Sequence, residues 1–292
     1  MKKLLLVVVA SLALTFLFGC SEKPTDPASG QEQINLVQRP EFVDTRPQNL
    51  IQTSILEPSV QYMEEKKKPI RPDPGGDEDP NPNPAHKYAY IVGISDYDGT
   101  VNDLNYCDDD ARDMKAYLQS QGFTCRVDTD HAATADAIAA GLDWLVASAS
   151  AGDEVFFSYS GHGTKYLNYG SCLISRDMYY LTHGYVMEKF NAIACTKKMV
   201  TLDACVIGGF HGDVESGTLM ATASDNTYSY DAPEFTNGAW THFWLKAAED
   251  LSMVFGEDIS GYAKSEMKLW GRSNKLRTSA KNTDSYTGML DI

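Results

Sequence analysis

The sequence predicts an α/β fold, in which a mostly parallel central sheet is covered by helices on both faces. Three observations predict it: apolar runs of strand length recur along the chain, amphipathic stretches of helix length separate them, and glycine follows several of these stretches. Strands that alternate with helices are usually joined by crossover connections, which make neighbouring strands parallel and bury the sheet on both faces.

The first half of this pattern contains three strands and two helices. Residues 88–95 (YAYIVGIS) are almost wholly apolar, which is typical of a strand that is covered on both faces. Residues 107–121 carry apolar side chains at helical spacing and end before Gly122. The remaining elements of this half are a strand at residues 123–127, a helix at 134–150 and a strand at 155–159.

The second half is predicted to continue the alternation. A short helix at residues 187–193 precedes a strand at 199–202, and a further strand at 219–223 precedes a helix at 239–250. In sheets of this kind, ligands bind beyond the carboxyl ends of the strands. The residues that directly follow a strand are therefore the candidates for a functional site.

The chain is predicted to consist of three parts. Residues 1–20 have two lysines before an apolar run, which is the pattern of a secretory signal, and the run is too short for a membrane-spanning helix. Residues 21–86 are rich in proline, glutamine and charge, and are predicted to be a flexible linker. Residues 87–292 have the length of one substantial domain.

The end of the predicted signal, LFGC at residues 17–20, resembles a bacterial lipobox. In a lipobox the cysteine becomes the lipidated first residue of the mature protein, so the resemblance implies that Cys20 carries a lipid anchor. The protein would then be attached to a membrane of the bacterial cell envelope and face the periplasm or the exterior. A simple cleaved signal with a chance cysteine is the alternative.

Charge and cysteine content narrow the classes of function. The formal net charge is −15 and no basic surface pattern occurs, so nucleic-acid binding is not expected. The six cysteines contain no CxxC pair, so a structural zinc site is not expected either. With Cys20 lipidated five thiols remain, and the sequence leaves open the pairing of Cys107, Cys125, Cys172 and Cys195.

Two predicted strands end in residues that suggest catalysis. The strand at residues 155–159 leads into SGHG, and the strand at 199–202 leads into DAC. Because the carboxyl ends of parallel strands meet at one edge of a sheet, we expect His162 and Cys205 to lie close together. An imidazole can take the proton from a thiol and later give it to a leaving amine. The pair therefore predicts peptide hydrolysis through a thioester acyl-enzyme.

The glycines beside the histidine predict where a substrate would lie. They let a substrate carbonyl approach the backbone, so the N–H groups of Gly163 and Cys205 are predicted to form an oxyanion hole. Two other interpretations stay open: an ordinary buried thiol and histidine, or a metal site. The residues of the zinc alternative are His162, Asp203, Cys205 and His211.

Several segments resemble the caspase-fold cysteine peptidases, and the metacaspases most of all. The resemblance covers most of residues 88–250 and is carried by YAYIVGISDY, LNYCDDDARDM, VFFSYSGHGT, VTLDACVIGG, ATASD and GAWTHFWL. It implies a caspase-like α/β/α sandwich with a mostly parallel central sheet. It also implies a cysteine endopeptidase that acts on peptide or protein substrates.

The resemblance further implies a specificity. In metacaspases the pocket for the substrate residue before the cut is acidic and accepts arginine or lysine. Matched residue by residue, its lining falls on Cys107, Asp110, Ser160 and Asp203. Carboxylates in a narrow pocket would bind a guanidinium or ammonium group by charge-assisted hydrogen bonds and repel an aspartate. For Asp110, a favourable charge in the first turn of a helix is the alternative explanation.

The sequence also leads to an expectation about cofactors and to two alternative functions. Many metacaspases bind calcium, but LTHGYV at residues 181–186 stands where paired acids would be expected, so no metal or other cofactor is predicted. One alternative function is a peptidase of the same fold that cuts after aspartate or asparagine. The other is a catalytically silent lipoprotein that only binds partners.

Overall fold

The computed structural model describes residues 37–38, 42 and 79–292. The predicted signal, Cys20 and most of the predicted linker lie outside these residues. In chain order the elements are β1 (Val37–Gln38), β2 (Lys87–Gly93), α1 (Cys107–Ser120), β3 (Thr124–Thr129), α2 (Ala135–Ser148), β4 (Glu154–Ser160), β5 (Gly163–Tyr166), β6 (Gly170–Ile174), β7 (Tyr179–Thr182), α3 (His183–Asn191), β8 (Lys197–Asp203), β9 (Thr218–Thr222), β10 (Asp231–Ala232), β11 (Asn237–Gly238), α4 (Ala239–Leu245), α5 (Gly256–Ser273) and β12 (Lys281–Asp284).

The central sheet has six strands in the order β12-β9-β8-β4-β2-β3. Five of them run parallel, and β12 is antiparallel to its neighbour β9. Every residue of β4 and of β8 is buried, because these strands lie inside the sheet and are covered on both faces. The predicted α/β/α sandwich with a mostly parallel sheet is confirmed.

Consecutive residues of β4 point into separate cores on the two faces of the sheet. Phe157 packs with Tyr90 at 5.8 Å between ring centroids, on the face that α2 and α3 cover. Phe156 packs edge-on against Trp244 at 5.7 Å, on the face that α1, α4 and α5 cover. The alternation follows from the two-residue period of a strand and leaves only the strand ends accessible.

A second, four-stranded antiparallel sheet in the order β1-β7-β6-β5 was not predicted from sequence. Its strands have two to five residues, and such short segments leave little periodic signal. The helix α3 also begins earlier than predicted, at His183. The reason is a local cap, because the hydroxyl of Thr182 accepts the N–H of Tyr185 at 3.2 Å.

Three parts of the range predicted as linker are described. Val37 and Gln38 pair with Tyr180 and Tyr179 of β7. Phe42 is half-buried, and Asp79 is buried at the opposite end of the molecule. None of the helices in the described part of the chain is both long and apolar enough to cross a membrane.

Candidate active site

The ends of β4 and β8 meet at the carboxyl-terminal edge of the central sheet. Ser160, the last residue of β4, is paired in register with Asp203, the last residue of β8. The N–H of Gly161 donates to the carbonyl oxygen of Asp203 at 3.1 Å. A side chain at Gly163 would collide with the carbonyl oxygen of Cys205, so this glycine lets the two strand ends lie against each other.

A small cavity of about 10 Å³ opens at this edge of the sheet. Both His162 and Cys205 line it, and they are 3% and 8% exposed. Three of the four residues predicted for the specificity pocket, Cys107, Ser160 and Asp203, line the same cavity. The parallel register thus brings together residues that are far apart in the sequence.

Two buried tyrosines hold the backbone of His162. The N–H of His162 donates to the hydroxyl of Tyr97 at 2.8 Å, and its carbonyl oxygen accepts the hydroxyl of Tyr159 at 2.8 Å. The Tyr97 ring also packs on the imidazole, with 4.7 Å between centroids. On another side, the ring of Phe42 meets the imidazole edge-on at 5.3 Å. The orientation of the histidine is therefore set by its neighbours.

A backbone carbonyl determines which nitrogen of His162 carries the hydrogen. The Nε2 atom lies 2.7 Å from the carbonyl oxygen of Asn102. A carbonyl oxygen can only accept a hydrogen bond, so Nε2 must be the protonated nitrogen. The neutral ring then has Nδ1 available to accept a proton, which is the state that a general base requires.

The thiol of Cys205 lies at the start of a tight turn. Its Sγ atom accepts the N–H of Ser229 at 3.3 Å. The next residue, Val206, has a φ of +56°, a left-handed conformation that a β-branched residue rarely adopts. The turn is held because the N–H of Val206 donates to the carbonyl oxygen of Thr227 at 2.9 Å. Strained backbone of this kind is common beside functional groups.

The predicted oxyanion donor at Gly163 has a suitable position in its hairpin. Gly163 is opposite Leu173 in the pairing of β5 and β6. The N–H of Ile174 donates to the carbonyl oxygen of His162, which makes Gly163 and Leu173 a pair that does not exchange ladder hydrogen bonds. The N–H of Gly163 is therefore not used by the ladder.

The two predicted acids of the pocket are held by internal donors. Asp203 accepts the hydroxyl of Ser229 on Oδ1, and the N–H and hydroxyl of Thr241 on Oδ2 at 3.0 and 2.9 Å. Asp110 accepts the Ser160 hydroxyl at 2.6 Å and the Gly238 N–H at 2.9 Å. Among the described residues that line the cavity, Asp110 does not occur. It lies behind Ser160.

Burial without a countercharge raises the pKa values in this region. Burial raises the pKa of Asp110 well above its ordinary value, and the charge of Asp203 adds to the effect. Burial also raises the pKa of Asp203 to about 6, although hydrogen bonds from Ser229 and Thr241 oppose it. The pKa of Cys107 is raised well above its ordinary value, first by burial, so this thiol stays protonated.

Other residues at the site were missed by the sequence analysis. The positioning groups are Tyr97, Asn102 and Tyr159, and the further lining residues are Leu104, Gly161, Ser229, Tyr230, Asp231 and Gly238. Most come from loops that carry no periodic pattern, and Asn102 contributes a backbone atom that every residue type has. Tyr97, Leu104, Tyr159, Gly161 and Gly238 lie within the matched segments, but their residue types alone do not assign them a role at the site.

The zinc alternative fails because His211 lies elsewhere. Its ring nitrogens bond to the hydroxyls of Thr283 at 2.8 Å and Thr222 at 2.9 Å, and burial lowers its pKa to about 4. Within residues 37–38, 42 and 79–292, no group of three or more His, Cys, Asp or Glu could hold a metal ion. The five cysteines of this part, all as free thiols, are Cys107, Cys125, Cys172, Cys195 and Cys205.

Comparisons with known proteins agree with this geometry. The family model described as "Caspase domain" matches residues 86–283. Metacaspase-4 of Arabidopsis thaliana is 30% identical over 142 residues, which are 42% of this chain and 34% of the relative. Metacaspase-2 of Trypanosoma brucei brucei is 39% identical over 88 residues, which are 26% of this chain and 25% of the relative. The chain thus spans about a quarter to a third of these relatives.

A solved structure shares the fold. A crystal structure of a Geobacter sulfurreducens protein superposes with a TM-score of 0.56 and covers 71% of this chain and 97% of its own. The sequence identity is 16%. At that identity the likeness concerns the fold alone.

Proposed function

Since the chain belongs to the caspase-domain family of cysteine peptidases, we propose that it hydrolyses peptide bonds with His162 and Cys205 as its catalytic dyad. The observation that carries the proposal is that both side chains line one cavity. In addition, the Asn102 carbonyl holds the imidazole in the tautomer that leaves Nδ1 unprotonated, as a general base requires. General acid–base catalysis of this kind contributes about 10²–10⁴-fold to a rate.

In the proposed acylation step, Nδ1 of His162 takes the proton of the Cys205 thiol. The thiolate attacks the carbonyl carbon of the scissile bond, and the negative oxygen of the tetrahedral intermediate faces the N–H groups of Gly163 and Cys205. The imidazolium then gives its proton to the leaving amine. The carbon–nitrogen bond breaks, and a thioester to Cys205 remains.

Deacylation reverses these roles with water as the nucleophile. Nδ1 of His162 takes a proton from water, the hydroxide attacks the thioester carbonyl, and the same two N–H groups stabilise the oxygen. The carbon–sulfur bond breaks, and the thiolate of Cys205 recovers a proton from the imidazolium. The products are an amine and a carboxylic acid, and the enzyme returns to its starting state.

We propose that the residue before the cut is arginine or lysine. The cavity beside Cys205 has Asp203 in its lining and Asp110 directly behind Ser160. Among its described lining residues there is no lysine or arginine that could pair with a substrate aspartate. Charge-assisted hydrogen bonds to a guanidinium or ammonium group would offset the burial of these acids.

Fluorogenic peptides that end in arginine or lysine test the proposal. We expect wild type to release the fluorophore, and Cys205→Ala to lose about 10³-fold or more in kcat/KM, as when a catalytic triad member is removed. Cys125→Ala is the matched control, because it removes a half-buried thiol that does not line the cavity. Equal activity in wild type and Cys205→Ala would show that the dyad is wrong.

Two further measurements separate the alternatives. A peptide library scanned at the position before the cut distinguishes basic specificity from a preference for aspartate or asparagine. An active-site alkylating probe should label Cys205 in the folded protein, and a failure to label it would favour a catalytically silent binding protein. Assays with added calcium and with a chelator test the expectation that no cofactor is needed.

The location of the protein is a separate proposal. The lipobox resemblance at residues 17–20 supports a lipid on Cys20 and attachment to the bacterial cell envelope. Metabolic labelling with a fatty-acid analogue should mark wild type and leave Cys20→Ala unmarked. Labelling of both wild type and Cys20→Ala would show that any lipid is attached to a residue other than Cys20.

A further inference from the structure

We propose that Asp231 is the carboxylate that contacts the cationic side chain of the substrate in the cavity beside Cys205. The inference rests on the peptidase function proposed above and adds a specificity-determining residue to it. Asp231 belongs to none of the segments that carry the family resemblance, and it lies 26 residues beyond Cys205 in the numbering of the chain.

The short hairpin β10–β11 places Asp231 at the cavity. Asp231 is paired directly with Gly238, and both residues line the cavity. A side chain at Gly238 would collide with the carboxylate of Asp203 and would come within 2.8 Å of Asp110 Oδ2. The missing side chain therefore lets the carboxylates of Asp203 and Asp110 approach the backbone of β11 directly opposite Asp231.

The carboxylate of Asp231 accepts two hydrogen bonds from Asn105. Its Oδ2 atom accepts the N–H of Asn105 at 3.0 Å and the side-chain amide of Asn105 at 3.3 Å. These two donors come from the loop before α1, which also carries the lining residue Leu104. Two donors on one oxygen fix the side chain at the wall of the cavity before any ligand binds.

Asp231 is the most accessible acid of the three. Asp110 and Asp203 are 2% and 6% exposed, and Asp110 does not line the cavity. Asp203 already accepts donors on both of its oxygens. Asp231 is half-buried and lines the cavity, so its side chain is more accessible to a substrate cation than those of the other two acids.

The electrostatics at the cavity favour a bound cation. The charge of Asp231 contributes to the raised pKa values of Cys107, Asp110 and Asp203, which places it close enough to act on all three groups. No lysine or arginine occurs among the described lining residues. A guanidinium or ammonium group would bring the missing positive charge, and Asp231 is the acid that it meets first.

Two peptides that differ only in charge test this role. One has arginine before the cut and the other has citrulline, in which a neutral urea group replaces the guanidinium. In Asp231→Asn we expect kcat/KM to fall about tenfold to hundredfold for the arginine peptide, which is typical of a lost charge-assisted hydrogen bond. For the citrulline peptide we expect less than about a threefold change, because no ionic contact is removed.

Glu234→Gln is the matched control. It removes one negative charge from the same loop, and Glu234 accepts Trp270 Nε1 instead of lining the cavity. Asp231→Asn keeps an oxygen that can accept both donors of Asn105, so the hairpin should fold. An equal fall with both peptides, or an equal fall in Glu234→Gln, would overturn the proposal.

A binding measurement separates this proposal from the peptidase function. Agmatine, the amine that carries the arginine guanidinium, is titrated into Cys205→Ala and into Cys205→Ala/Asp231→Asn by calorimetry. We expect about tenfold or greater weakening in the double variant. Equal affinity would overturn the role of Asp231. Wild type that binds agmatine through Asp231 but cleaves neither peptide would instead count against the peptidase function alone.

Discussion

The two ends of the central sheet bury acidic groups in opposite ways. At the amino-terminal edge, Lys197 Nζ lies 2.8 Å from Asp79 Oδ2 and 3.3 Å from Glu154 Oε2, and it also pairs with Asp291. At the carboxyl-terminal edge, acids surround a cavity whose described lining contains no lysine or arginine. The first end, here called the complete end, supplies its own countercharge, while the described lining of the second, the incomplete end, supplies no basic side chain.

The pKa values of one acid from each end, Asp79 and Asp203, express the same difference, while burial also raises the pKa of Glu154 against the opposing charge of Lys197. Burial raises the pKa of Asp79, but hydrogen bonds with Asp291, Lys197 and Tyr286 outweigh it and hold the pKa below its ordinary value. Asp79 therefore contributes stability above the ordinary pKa, and this stability is lost as the pH falls. The pKa of Asp203 is raised to about 6 by burial, so its contribution is present at low pH and lost as the pH rises through about 6.

The largest expected effect is at the complete end. In Lys197→Met the buried carboxylates of Asp79 and Glu154 lose their countercharge, so we expect the free energy of unfolding to fall by about 3–5 kcal/mol. Urea denaturation at pH 7 measures it. Lys198→Met is the control, since this buried lysine lies 5.6 Å from the ring of Phe190 and makes no ion pair within the described residues, although the charge of Glu215 acts on it. Equal losses of stability in Lys197→Met and Lys198→Met would mean that the ion pairs of Lys197 with Asp79 and Glu154 are not the cause.

The second prediction displaces two acids at the incomplete end. A methyl group in Gly238→Ala would push against the carboxylates of Asp203 and Asp110, which costs about 1–3 kcal/mol of stability. It should also raise KM for basic peptides more than it lowers kcat. Gly184→Ala is the matched control, because its added methyl group meets nothing within 4 Å. A KM that stays at the wild-type value would show that the position of these two carboxylates does not affect substrate binding.

The third prediction uses pH to titrate the incomplete end. As the pH falls through about 6, Asp203 gains a proton and the cavity loses negative charge. The ratio of kcat/KM for the arginine peptide to that for the citrulline peptide should therefore fall below this pH. Protonation of the catalytic base affects both peptides, so it cancels in the ratio. A ratio that is constant between pH 5 and pH 8 would contradict the charge difference between the two ends.

The smallest expected effect is on stability in Asp110→Asn. Burial raises the pKa of Asp110, so its ionised form disfavours folding, and an amide can keep both contacts because the Ser160 hydroxyl can reverse its role. We expect the free energy of unfolding to stay the same or rise by up to about 1 kcal/mol. Asp79→Asn, in which an acid of the complete end is changed, should lower it. If the free energy of unfolding changes in the same direction in Asp110→Asn and Asp79→Asn, the two ends of the sheet do not differ in how they hold their acids.

Much of the fold and half of the candidate site could be predicted because the signals are local. The apolar runs of β2, β4 and β8 have the length and the flanking turn residues of buried strands, and parallel strands end at one edge of a sheet. This is why His162 and Cys205 could be placed together before the structure was known. The short strands β5 to β7 and the helix α5 were missed.

The sequence by itself determined the alternation of elements, and it predicted the dyad and an acidic pocket that remain proposals. Only the tertiary structure decided which acid faces the cavity, because Asp110 lies behind Ser160 and Asp231 reaches the cavity through a two-residue strand. It also decided that the Asn102 carbonyl orients His162. Contacts between distant loops, and contacts made by backbone atoms, depend on how the chain packs, and they leave no periodic pattern in the residues that make them.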